Sequence, residues 1–250
     1  VGHSKEDATT GDALTRDVFL ITSGIMNDYG VFDLGQRLDQ LLGSIASVRS
    51  VMPGSHIVCI DGSIPDMPSR IQDRIRDTGV QFVKVPQDKA NQESKDVDAN
   101  QFMAKVFGEL NIWYHFFHTV GIDPKTYQRV HKLSGRYQLL DTYREHDFDQ
   151  CNVLIAKPYT WYKGPWAPGE TESSYPTRCW SWHTDLWHAI EMTWQNIAAD
   201  TKNYLEKQGL IRVTEAALYE NLHRLMLPCT EVERMWVQGH FGQDGRFIQD

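Results

Sequence analysis

The chain of 250 residues is 41% hydrophobic and 23% charged, a balance that suits a single globular domain and excludes a disordered or fibrous class. Its formal charge of −8, with no basic cluster to offset it, excludes a general affinity for nucleic acid backbone. No apolar run approaches the roughly 18 residues that a membrane helix needs, so no integral membrane segment is expected.

Residues 1–16 are polar, lack the apolar stretch of a secretory signal, and read as a flexible N-terminal segment ahead of one domain over 17–250. DVFLITSG (17–24) reads as a buried strand ending in a Thr-Ser-Gly turn, followed by a helical period with Leu34, Leu38, Leu41, Leu42, Ile45 and Val48 on one face. HIVCIDGS (56–63) is a second strand, IQDRIRDTG a short helix with a glycine stop, and VQFVKVP a third strand. This β-α-β-α-β order predicts an α/β fold with a mostly parallel sheet and helices on its faces. A polar loop then leads into a long helix over roughly 97–120. TYQRVHKLSG and CNVLIAKP supply a fourth and a fifth strand, HTDLWHAIEMTWQNIAADTKNYLEKQG and TEAALYENLHRLM the last helical segments, and 232–249 short β pieces around two glycine turns. The four cysteines Cys59, Cys151, Cys179 and Cys229 show no spacing that suggests a zinc site and read as reduced thiols of a soluble, cytoplasmic protein.

Ligands of open parallel sheets bind beyond the carboxyl ends of the strands. That rule points to Thr22, Ser23 and Gly24, to Asp61-Gly62-Ser63, and to Ser134-Gly135-Arg136, where small residues admit a ligand to the backbone and an aspartate can accept hydrogen bonds from a nucleoside. No GxGxxG turn and no GxxxxGK[ST] loop occurs, which disfavours dinucleotide oxidoreductases and P-loop enzymes.

KLSGRYQLLDTY (132–143), the aromatic YPTRCWSW, TEAALYENL and VQGHFGQDG, set after this β-α-β-α-β start, resemble GT-A-type glycosyltransferase-like proteins of bacteria and large viruses, over most of 17–250. The resemblance implies a single GT-A-like, Rossmann-like domain in which the donor nucleotide lies over the first strand ends, near Thr22 to Gly24 and Asp61. Where that family carries a DXD motif for a divalent cation, this chain reads Ser134-Gly135-Arg136, which disfavours a manganese or magnesium cofactor. An arginine stabilises a departing diphosphate by bidentate, charge-assisted hydrogen bonds; Lys132 adds a point charge, and Ser134, Gly135 and Tyr137 complete the motif. The competing reading pairs Arg136 with a carboxylate such as Asp141. The strings Asp96-Val97-Asp98 and Asp147-Phe148-Asp149 follow no apolar strand and are set aside as metal sites.

Inverting sugar transfer needs a base for the acceptor hydroxyl. Glu215, in the first turn of the TEAALYENL helix, is the candidate, with His183 and Asp185 as rivals. Arg178, Trp182, His183 and Asp185 are expected at the acceptor, because sugars pack their C–H faces on indole rings. Lys95, and less directly Lys89, lie in the polar loop after the third strand within reach of a phosphate, and residues 160–177, with Trp161, Tyr162 and Trp166, read as a loop able to close over the donor. The expected function is therefore transfer of a sugar from a nucleotide-sugar co-substrate to a glycan or other hydroxyl acceptor, with inversion and without a metal. The alternatives are a non-catalytic glycan-binding protein using the tryptophans as its platform, and an S-adenosylmethionine-dependent methyltransferase.

Overall fold

The computed structural model describes residues 17–26, 31–63, 66–86, 98–145, 148, 150–162, 171–208, 213–240 and 244–249. Segment 1–16, expected to be flexible, lies outside them. The first half of the chain forms β1 (Asp17–Ser23), α1 (Leu34–Val51), β2 (His56–Asp61), α2 (Ser69–Arg76), β3 (Gln81–Lys84) and α3 (Asp98–His118). The second half forms β4 (Arg129–Ser134), β5 (Tyr137–Leu139), β6 (Val153–Ala156), β7 (Tyr159–Tyr162), β8 (Thr171–Ser174), β9 (Cys179–His183), α4 (Trp187–Gln208), α5 (Thr214–Arg224), β10 (Cys229–Val232), β11 (Val237–His240) and β12 (Phe247–Gln249).

The architecture is α/β, around a seven-stranded, mostly parallel sheet in the order β10-β6-β9-β4-β1-β2-β3. β1 pairs in parallel with both β2 and β4, as the alternation of strands and helices predicts. β9 is a departure: it runs antiparallel between β4 and β6. Its residues Cys179-Trp180-Ser181-Trp182 are buried, so the aromatic stretch read as an acceptor platform is a central strand of the core. β5, β11 and β12 form a separate antiparallel sheet, and β7 pairs with β8. Residues 160–177 are thus not a simple loop: 160–162 belong to β7 and 171–174 form β8, and the 163–170 connection lies outside the described residues.

Alternate residues of each strand serve two layers. Phe19, Ile21, Ile57 and Leu133 pack with Leu38, Leu41, Ile45 and Val48 of α1 and with Ile71 and Ile75 of α2. Val18, Leu20, Val58, Ile60 and Val130 face α3, α4 and α5. α1 begins in a reciprocal cap, Gln36 N donating to Asp33 Oδ1 (2.8 Å) and Asp33 N to Gln36 Oε1 (3.0 Å), which satisfies two amides at the helix start. On the other face Trp113 of α3 stacks on Trp194 of α4 with ring centroids 4.3 Å apart, and lies 5.6 and 5.7 Å from Trp180 and Trp182. Among the described residues no helix is long and apolar enough to cross a membrane.

The polar step after β4 now has a local cause. β4 ends at Ser134, the chain turns through Gly135 and Arg136, and Tyr137 enters β5 in the other sheet. A β-carbon on Gly135 would approach Leu41 Cδ1 to 3.0 Å and Thr22 O to 3.2 Å, so only glycine passes this crossing without displacing a neighbour.

Candidate active site

Strand register brings the small polar residues into one row. Thr22 lies beside Ser134, and Ser23 beside Asp61. Gly135 N donates to Thr22 O (2.8 Å) and Gly62 N to Ser23 O (2.9 Å), which carries the β1 contacts one step past the last paired residues. Gly24 follows, its carbonyl 3.5 Å from Arg37 Nη1. Asp61 is fully buried. Its Oδ2 accepts from Ser23 Oγ (2.8 Å) and Ile25 N (3.0 Å), its Oδ1 accepts from Ser63 N (3.0 Å), and Lys84 Nζ stands 4.0 Å away. The Asp61 carboxylate, expected at a nucleoside, thus lies buried and is hydrogen-bonded within the loops after β1 and β2.

A second group converges on the end of β4. Lys132 is buried, with Nζ donating to Ser134 Oγ (2.7 Å) and to Thr177 O. It shares the face of Val130, so it points toward α3 and α5. Burial pushes its ammonium below the ordinary lysine range; the Glu109 and Glu215 carboxylates and Cys179 pull the other way, and Arg136 adds to the lowering. Thr214 Oγ1 lies 2.9 Å from Glu109 Oε2 and 3.1 Å from Glu215 Oε2, so a single buried hydroxyl tethers carboxylates from α3 and α5. Glu215 is half-buried at the first turn of α5. Tyr159 of β7 belongs to the same neighbourhood: burial raises its phenol above the ordinary tyrosine value, Glu215 adds to the rise, and Arg178 opposes it.

Arg136 is half-exposed, and among the described residues its guanidinium has neither a hydrogen-bond acceptor nor a carboxylate partner. Asp141, the partner weighed from sequence, pairs instead with Arg144 at 3.3 Å. Arg178 sits beside the end of β4, its carbonyl accepting from Ser134 N (2.8 Å) and its guanidinium 6.0 Å over the Tyr137 ring. Tyr137 is buried among residues of the α1 layer, and burial raises its phenol even against Arg136 and Arg178. Tyr137 and Gly135, expected at the donor, are closely packed here and set the course of the chain on either side of Arg136. Gly239 of β11 completes this packing: a β-carbon there would collide with the Arg136 carbonyl and come within 2.8 Å of Tyr137 Cδ1.

Trp182, His183 and Asp185 do not join the group. Because β9 is antiparallel, Leu133 faces Cys179 while Arg129 faces His183, which puts His183 about 17 Å along the sheet from Ser134 at the end of β4. Trp182 has no exposed surface, and Trp180, Trp187 and Trp194 are buried with it, so none of these four described indoles offers a glycan an open face. Lys95, Lys89, Asp96, Asp147, Asp149 and Trp166 lie outside the described residues, as do the side chains of Asp98, Trp161 and Tyr162.

Glu109, Tyr159 and Lys84 were not expected from sequence, and Thr214, which the sequence offers as a helix cap, is instead the first residue of α5 with its hydroxyl on Glu109 and Glu215. Glu109 had one legible signal: it is the acid in the otherwise acid-free stretch 105–118, set among the core residues Val106, Leu110 and Trp113. Tyr159 and Lys84 look like ordinary strand or surface residues until the chain is folded.

No protein-family model matches the chain, and a search of curated proteins finds no match. Among solved structures the chain is similar to galactosyltransferase LgtC in complex with donor and acceptor sugar analogues, at 9% identity and TM-score 0.46, covering 82% of this chain and 70% of that one. It is also similar to an active-site mutant of LgtC, at 9% identity and TM-score 0.43, covering 82% of this chain and 69% of that one.

Proposed function

We propose that the protein is a glycosyltransferase, with its donor diphosphate at Arg136 and its acceptor hydroxyl at Glu215. The observation that carries this reading is the half-exposed Arg136 guanidinium, unpartnered among the described residues and beside the buried Lys132 ammonium, at the carboxyl end of a parallel strand. A guanidinium there suits a ligand with paired anionic oxygens, which it can hold by two parallel hydrogen bonds. Lys132 is too enclosed to wrap a phosphate. It acts as a fixed positive charge behind Ser134, whose hydroxyl it orients.

In the proposed reaction the acceptor oxygen attacks the anomeric carbon, and the bond from that carbon to the diphosphate oxygen breaks. The electron pair leaves on the diphosphate, where Arg136, Lys132 and Arg178 offset the charge, and the hydroxyl proton passes to Glu215. Glu109 and Thr214 hold Glu215 in place. The loops after β1 and β2, around Thr22, Ser23 and Gly24 and folded by Asp61, receive the nucleoside. Ser134-Gly135-Arg136 does not fit a divalent cation, because it presents a guanidinium where a carboxylate pair would be needed, and no step is assigned to a metal. Inversion at the anomeric carbon and an intracellular glycan-building role belong to this proposal.

The test is a panel of nucleotide sugars incubated with the protein, with manganese and separately with a chelator, read as release of nucleoside diphosphate and as thermal shift. Donor-dependent release that survives chelation and disappears in Arg136→Ala is expected. Near-normal turnover in that variant overturns the assignment.

A further inference from the structure

At the opposite end of the sheet from Arg136, three side chains with different donor atoms converge. Cys151 stands just ahead of β6, His183 ends β9, and Asp185 lies in the 3-10 turn Thr184–Leu186 that leads into α4. Asp185 Oδ2 is 4.0 Å from Cys151 Sγ and 3.5 Å from His183 Nδ1, and all three donor atoms lie within 4.8 Å of one another.

We infer that Cys151, His183 and Asp185 form a binding site for a zinc-class divalent cation, with the fourth position open to water or an external donor. Tetrahedral zinc, with bonds of about 2.0 to 2.3 Å, places its donor atoms roughly 3.3 to 3.6 Å from one another. The contacts to Asp185 are within half an ångström of that spacing. Closure needs only a small movement of the exposed Cys151 side chain. A thiolate, an imidazole and a carboxylate together favour zinc or cobalt over magnesium or calcium, which prefer all-oxygen cages.

The backbone around these residues is held from several directions. His183 N donates to Asn152 O (3.1 Å), which fixes the segment carrying Cys151 against the end of β9. Buried Arg129 grips the same segment through Gln150 O (3.0 Å) and Asn152 O (3.2 Å). On the other side, Thr184 is tied to the chain before β4 by Oγ1 to Tyr127 O (2.7 Å) and N to Gln128 O (2.9 Å). Such outer contacts keep donor groups near their bound geometry and lower the cost of capture. His183 Nδ1 now accepts from Asp185 N at 3.3 Å, a long bond that a coordinated cation would replace. The site stands apart from the proposed sugar chemistry, so neither depends on the other.

The experiment uses the full chain, reduced and metal-free, titrated with cobalt(II) and then with zinc(II). Expected is one equivalent of cobalt with a thiolate-to-metal charge-transfer band, displaced by zinc, absent in Cys151→Ser and His183→Ala, and kept in Cys229→Ser. Asp185→Asn, on an exposed side chain that folding does not need, should weaken cobalt binding by roughly tenfold or more. Absence of the band, its survival in Cys151→Ser, or unchanged affinity in Asp185→Asn each overturns the site; the last would leave His183 and Asp185 as a turn cap alone.

Discussion

The hydroxyl of Thr214 meets the Glu109 carboxylate at 2.9 Å, joining α5 to α3 across 105 residues of sequence. One hydroxyl proton serves one acceptor at a time, yet Thr214 Oγ1 also touches Glu215 Oε2 at 3.1 Å. The buried Lys132 charge nearby is what makes two carboxylates tolerable around that single donor.

Thr214→Val should therefore cost about 2 kcal/mol in denaturant unfolding, the scale of losing a buried hydrogen bond to a charged group, and lower sugar transfer with it. Thr214→Ser keeps the hydroxyl and should restore most of both. Equal stability of the Val variant and the parent would rule out the tether.

Lys132 sets a pH signature. Its ammonium titrates below the ordinary lysine range in the folded chain, chiefly through burial, so between the folded and unfolded values the unfolded chain binds more protons. Stability contributed at this site rises with pH across that alkaline window. Tyr137, Tyr143 and Tyr175 move oppositely at high pH, because burial raises their phenols and the folded chain resists their ionisation. The clean measurement is thus the difference in unfolding free energy between the parent and Lys132→Met, which should shift in favour of the parent as pH climbs toward the ordinary lysine value. A difference that is flat with pH would contradict the buried ammonium.

Asp61→Ala should unfold more easily by about 3 kcal/mol, since Ser23 Oγ, Ile25 N and Ser63 N lose their shared acceptor and Lys84 its nearby carboxylate. Asp61→Asn, which keeps one acceptor oxygen, should fall between. Chemical denaturation of the three proteins orders them directly.

Gly239→Ala forces a methyl group against the Arg136 carbonyl and the Tyr137 ring. Overpacking of this kind costs about 1 to 3 kcal/mol, and here it also moves the Arg136 backbone. The expected result is a larger fall in turnover than Gly43→Ala produces, where the clash is with the flexible end of Gln138. Comparable activity of the two variants would separate Arg136 placement from β11 packing.

Trp182→Ala distinguishes core from binding surface. With no exposed surface and ring contacts to Trp113, Phe116 and Trp180, its loss should cost about 3 to 5 kcal/mol. A stable variant with weakened glycan affinity would restore the platform reading.

Local pattern alone determined most of the elements. The apolar runs at 17–24 and 56–63, the helical stripe from Leu34 to Val48, and the alternation between them specify strands, helices and a parallel arrangement, because burial on one face imposes a period on the side chains. The small polar residues at the strand ends, and Arg136 at the step after β4, were also legible, since a parallel sheet aligns its carboxyl ends.

Strand direction and the pairing of distant segments were decided by the tertiary fold. YPTRCWSWH has the same local pattern whichever way β9 runs, but its antiparallel course delivers Arg178 to Lys132 and Arg136 and carries His183 to the far end of the sheet, beside Cys151 and Asp185. Glu109 and Thr214 meet for the same reason: helices that cover one face of a sheet are brought together by burying their apolar stripes, and the polar residues at the rims of those stripes follow. Nothing in the spacing of these residues along the chain encodes those meetings, because they arise from packing across the sheet rather than from local backbone preference.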